Sequence, residues 1–120
     1  MTPNDLIALG KRAVACKGFR WMRGMLRQDD YRYIGSGVWA RWSDVHSLTT
    51  ALHSPDQWPD LTDPATLGCL LTLVREAWGS LPASMVNERT NRWAMFFLGG
   101  PVVHGPTEAE ALVAALEAAP

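Results

Sequence analysis

Apolar positions along the chain change period several times, and each change marks an element. Thr2-Pro3-Asn4-Asp5 opens the first: Thr2 caps free amides, Pro3 suits the first helical position, and Asp5 meets the positive dipole end. Leu6, Ile7, Leu9, Ala13 and Val14 then recur near helical spacing, with Lys11, Arg12 and Lys17 outside the stripe and Gly18 as a left-handed stop. Over 19–42 the texture shifts to period two. Phe19, Trp21, Tyr31, Tyr33, Val38, Ala40 and Trp42 alternate with Arg20, Arg32, Arg41 and small residues. The polar break Gln28-Asp29-Asp30 is the expected hairpin turn, and Gly35-Ser36-Gly37 the mark of a bulge or early end of pairing in the second strand.

From Ser43 to Leu61 the pattern dissolves. Val45, Leu48 and Leu52 suit a short helical turn, but His53-Ser54-Pro55-Asp56 and Trp58-Pro59 break it, which predicts a long surface connection of the kind that is often functional. Trp58 reads either as a lid over the core or as an exposed anchor. Thr62-Asp63-Pro64 starts the clearest helix. Leu67, Leu70, Leu71, Val74, Ala77 and Trp78 keep i, i+3, i+4, i+7 spacing, and Gly79 ends it, so it is expected to be the central core helix. Met85-Val86 and the run 93–98, apolar on both faces and therefore central, make a second hairpin around 87–92. Val102-Val103 adds a short strand. Thr107 and Glu110 have capping-box spacing before a stripe of Ala109, Leu112, Val113 and Leu116. The expectation is a single α+β domain over 1–120: an antiparallel sheet of about four to five strands packed with three helices, in the order α-β-β-α-β-β-(β)-α.

Composition adds a charge layout. The chain has 120 residues, 48% hydrophobic and 19% charged, which suits a globular domain and argues against disorder. Net charge is −1, but residues 1–41 hold eight basic side chains against three acids, whereas the rest holds three against nine. That asymmetry suggests an anionic partner for the first third, or a solvated face balanced in space by the acidic remainder. The N-terminus has the pattern of a capped amphipathic helix rather than a signal peptide, and no apolar run approaches the roughly 18 residues of a membrane span. The expected location is therefore the cytoplasm, with no membrane partner. Cys16 and Cys69, far apart, read as small buried hydrophobes.

Three stretches carry a family resemblance: 61–79, 108–119 and the opening 1–10. Together they resemble small accessory proteins of tailed bacteriophages and prophages, with a weaker similarity to the phage ABA sandwich domain, which places helices on both faces of a sheet. The resemblance covers the helices. It implies expression in a bacterial host cell and action by binding. The implied role is antagonism of host defence, either by blocking a CRISPR-type effector or by sequestering a cyclic-nucleotide immune signal. It transfers no catalytic residue.

Chemistry-bearing motifs point the same way. The chain has no Gly-x-Ser-x-Gly elbow, no phosphate-binding loop and no His-Glu-x-x-His; Gly35-Ser36-Gly37 lacks the third glycine of a dinucleotide fingerprint. His46, His53 and His104 are too scattered for a metal site. A protein without enzymatic activity, cofactor or metal is expected. Interleaved arginines and aromatics stand out instead: Arg20-Trp21-x-Arg23, Arg27, Trp39-x-Arg41-Trp42 and Arg92-Trp93. Strand neighbours point to opposite faces, so Trp39 and Arg41 share one face and Val38, Ala40 and Trp42 the other. If the latter set packs on the helices, an indole beside a guanidinium is left outward, suited to nucleobases and phosphates or to a protein hot spot. The alternative is that Trp39 is covered and Arg41 paired with an acid. The candidate binding residues are Arg20, Trp21, Arg23, Arg27, Trp39, Arg41 and Arg92. The expected partner is a host defence protein or an anionic nucleotide. Nucleic acid binding and a role as a virion component are alternatives, and the oligomeric state, a homodimer included, stays open.

Overall fold

In a computed structural model, residues 2–42, 48–52, 56–79, 83–89, 92–97 and 101–120 are described. Helix α1 spans Pro3–Ala15 and starts as its sequence requires: Thr2 Oγ1 accepts from Asp5 N at 3.2 Å while Asp5 Oδ2 accepts from Thr2 N at 3.0 Å. It ends at Cys16, which turns extended, so Gly18 is not the left-handed stop. Gly18 serves close packing instead, because a Cβ there would lie 3.1 Å from Ala77 Cβ and 3.2 Å from Leu116 Cδ1.

Strands β1 (Arg32–Gly35), β2 (Val38–Trp42) and β3 (Leu48–Leu52) form an antiparallel meander in that order. The reversal between β1 and β2 is Gly35-Ser36-Gly37 itself, at φ 106°, 55° and 74°, a left-handed run that two glycines adopt without steric cost. The expected turn at Gln28-Asp29-Asp30 also forms: Arg27 N donates to Tyr31 O at 2.7 Å, and Leu26 bridges Arg32. The strand before it is reduced to backbone pairing of 24–27, since Gly24 N donates to Tyr33 O and Tyr33 N to Met25 O. On its other side the same segment meets 58–60, where Asp60 N donates to Leu26 O and Gln28 N to Trp58 O.

The connection expected over 43–61 therefore contains a strand, and Leu48 and Leu52 are strand ends instead of a helical turn. Cross-strand partners across the meander supply the bonds that local periodicity could not signal. Val45, His46 and His53–Pro55 lie outside the described residues. Trp58 packs on α1, where a Cβ at Gly10 would come within 2.9 Å of its Cδ1, and Lys11 Nζ stands 5.0 Å over its ring.

Helix α2 spans Pro64–Trp78, with Asp63 accepting from Thr66 N at 3.0 Å and Gly79 left-handed at φ 61°. A second antiparallel meander follows: β4 (Ala83–Arg89), β5 (Arg92–Phe97) and β6 (Val102–Gly105), with β5 central as expected. Helix α3 (Glu108–Glu117) closes the chain. Thr107 Oγ1 accepts from Glu110 N, but Glu110 Oε2 is buried without a hydrogen-bond partner among the described residues, so only half of the capping box forms.

Among the described residues the order is thus α-βββ-α-βββ-α, with two three-stranded sheets where one of four to five strands was expected. α2 separates the two meanders along the chain. The central helix is α3, not α2: it packs on α1, α2, β5 and β6 and buries Ala109, Ala111, Leu112, Val113, Ala115 and Leu116. Its alanines permit close approach on several sides. Leu70, Leu73, Val74 and Met95 are fully buried around it, and each such side chain contributes about 1.5–3 kcal/mol. Trp78, half-buried, stacks on Phe97 at 4.3 Å and donates Nε1–H to Ala115 O at 2.8 Å. Among the described residues no helix is long and apolar enough to cross a membrane.

Candidate functional site

The interleaving of arginine and aromatic residues becomes an internal stack. Phe19 meets Trp21 edge-on at 5.3 Å, and Trp21 meets Trp39 edge-on at 4.5 Å, with Tyr33 tilted against Trp39 at 5.0 Å. The Arg27 guanidinium sits 5.0 Å from the Trp39 ring and 4.6 Å from that of Tyr31, and Arg41 lies 4.6 Å from Tyr31 as well. Trp39 is fully buried, and Arg27 is only 4% exposed. Asp29 grips Arg27 through two hydrogen bonds of 2.6 and 2.9 Å, from Nε and Nη2. That pairing holds the Asp29 carboxyl below its ordinary range, against a smaller opposing effect of burial.

Trp39 therefore faces inward and is covered, the second of the two readings, although Arg41 makes no ion pair among the described residues. Val38 and Ala40, expected to pack on the helices, are partly exposed on the outer face with Ile34, which is 44% exposed. The side chain of Trp42 lies outside the described residues. The physical reason is shape: the inner surface offers an aromatic slot between Trp21 and Tyr33, and Trp39 fills it with far more apolar area than Val38 or Ala40 would.

The other candidates scatter. Arg20 pairs with Glu76 across the first helical junction, which lowers the Glu76 carboxyl. Arg23 is exposed beside Gly35. Arg92 lies on the second sheet, its Nε donating to His104 Nδ1 at 3.3 Å. So Trp21, Arg27, Trp39 and Arg41 converge, whereas Arg20, Arg23 and Arg92 do not join them. Two further cations are answered within the chain: Arg12 by Glu117 and Arg32 by Asp63. Asp63 stays below its ordinary range even though burial pushes it up, because Arg32 and bonds from Thr66 together outweigh that effect. Both cysteines are half-buried free thiols pushed up mainly by burial. Among the described residues no three His, Cys, Asp or Glu side chains gather as metal ligands.

Residues outside the candidate set define an apolar face. On the second sheet Met85, Met95 and Val103 share the face turned to α3. The opposite face carries Phe96 directly across from Val102, with Val86 on the other edge strand diagonal to Phe96; these are 37%, 43% and 42% exposed. Arg92 and His104 edge the same face, on which Ala94 is the cross-strand partner of both Val86 and His104. The two-faced apolar run over 93–98 is the available signal: it marks a central strand. No protein-family model, curated protein or solved structure matches this chain.

Proposed function

We propose that this chain is a non-enzymatic binding protein that engages another protein through the outer face of the β4–β6 sheet. The observation that carries the proposal is the contiguous row of Val86, Phe96 and Val102, left partly exposed on a sheet whose other side is committed to the core. Burying the exposed parts of three such side chains contributes on the order of 2–4 kcal/mol to association. The cationic Arg92 at the edge of this face suits a partner whose apolar surface is rimmed by carboxylates. The resemblance of the helices to phage accessory proteins supplies the partner class, a protein of bacterial antiviral defence such as a CRISPR-type effector.

A nucleotide-sequestering role has less support, because the indole that would stack on a base is interior and Arg27 is neutralised by Asp29. The test is phage challenge of bacteria carrying an active CRISPR effector, with and without the chain. Wild type is expected to restore infection, and F96D/V102D to abolish that effect while melting like wild type. No restoration by wild type with any effector tried overturns the defence assignment; equal restoration by the double variant overturns the assignment of the face.

A further inference from the structure

A second feature, on the first sheet, is independent of that reading. Where the 28–30 turn meets β2, Leu26, Asp30, Arg32, Ile34, Ala40 and Arg41 line a hollow of about 250 Å³. This is below the roughly 300–1,000 Å³ of pockets for drug-sized ligands, so its occupant is compact. Its floor is apolar and open, with Ile34 44% exposed. Arg41 is the notable wall. Arg12, Arg20, Arg27 and Arg32 each meet a carboxylate of the same chain, but Arg41, exposed and laid on Tyr31, makes no ion pair among the described residues. Its charge reaches only as far as easing ionisation of Asp29, which Arg27 already holds. Opposite it, Arg32 is fixed rather than mobile: Nη1 donates to Gly24 O at 2.6 Å, and both terminal nitrogens bond the Asp63 carboxylate. Arg41, without an ion pair among the described residues, the immobilised Arg32 and the apolar Ile34 and Ala40 thus line one small hollow. Asp30, held at φ 67° in the turn, adds one acceptor at the rim.

We propose that this hollow binds a compact organic anion, its carboxylate or phosphate head on Arg41 and its apolar body on Ile34 and Ala40. Titration of the ¹⁵N-labelled chain with benzoate and with acetate tests the body; phenyl phosphate against inorganic phosphate repeats the comparison for the other head group. The expected result is that the aryl compound of at least one pair binds more tightly than its simple counterpart, with resonance shifts confined to residues near 26–41. R41Q should weaken that binding by about tenfold or more, as loss of a charge-assisted bidentate contact implies. I34S should weaken the aryl compounds selectively, and R23Q, altering an exposed arginine outside the hollow, should change nothing. All three positions are on the surface, and circular dichroism verifies that each variant folds. Equal affinities for aryl and simple anions in both pairs, unchanged affinity in R41Q, or no saturable shift with any of the four anions overturns the proposal.

Discussion

Removing the carboxylate of Asp29 is the perturbation most informative about the interior stack. The Arg27 side chain is 5% exposed and its principal counter-charge is Asp29, whose own side chain is 44% exposed. Breaking a fully buried pair by deleting one partner costs about 3–5 kcal/mol. Because water reaches the aspartate side and Asn retains one acceptor oxygen, the expected cost of D29N is about 2 kcal/mol. For a chain of this size that lowers the melting temperature by roughly 6–10 °C. R27M/D29N removes the buried charge together with its partner and leaves an apolar side chain between Trp39 and Tyr31. Its expected cost is below about 1 kcal/mol, less than that of D29N alone, because no uncompensated cation remains. Urea unfolding at pH 7, followed by tryptophan fluorescence, supplies both values from midpoints at a common slope. A double variant less stable than D29N, or a D29N cost under about 0.5 kcal/mol, would refute the claim that the aspartate is needed because the guanidinium is interior.

Other consequences are equally direct. Asp29, Asp63, Glu76 and Glu117 all have folded values below their ordinary ones, so the stability they supply is complete above the unfolded carboxylate range near pH 4. It should be lost as pH falls through the lower folded values, and urea midpoints that stay flat from pH 6 to pH 2.5 would contradict those pairings. G105A should destabilise by about 2 kcal/mol or more, since a Cβ there would meet Ala111 N at 2.5 Å and Cα at 2.9 Å in the backbone of α3; melting temperature measures it. Burial raises both thiols, so alkylation of Cys16 and Cys69 by iodoacetamide at pH 8 should run slower than that of a free cysteine peptide, and should match it once urea unfolds the chain.

Local chemistry made much of the fold legible. Thr2 with Asp5, Asp63 with Thr66, and Thr107 with Glu110 are interactions within one helical turn, so their meaning survives without tertiary context. The turn at 28–30 and the central position of β5 were readable for similar reasons. The candidate site was legible only as a set of residue types: that arginines and indoles interleave is a sequence fact, but whether they meet one another or a ligand is not.

What the sequence determined by itself was that β2 has two chemically distinct faces, Trp39 with Arg41 and Val38 with Ala40. Alternation is symmetric, and both faces carry apolar groups, so period alone assigns neither to the interior. The tertiary structure decided it by bringing Trp21, Tyr33 and Arg27 around one slot that Trp39 fills. It likewise made a strand of 48–52 through β2 and a hub of α3 through contact with four other elements, because both depend on partners distant in the chain.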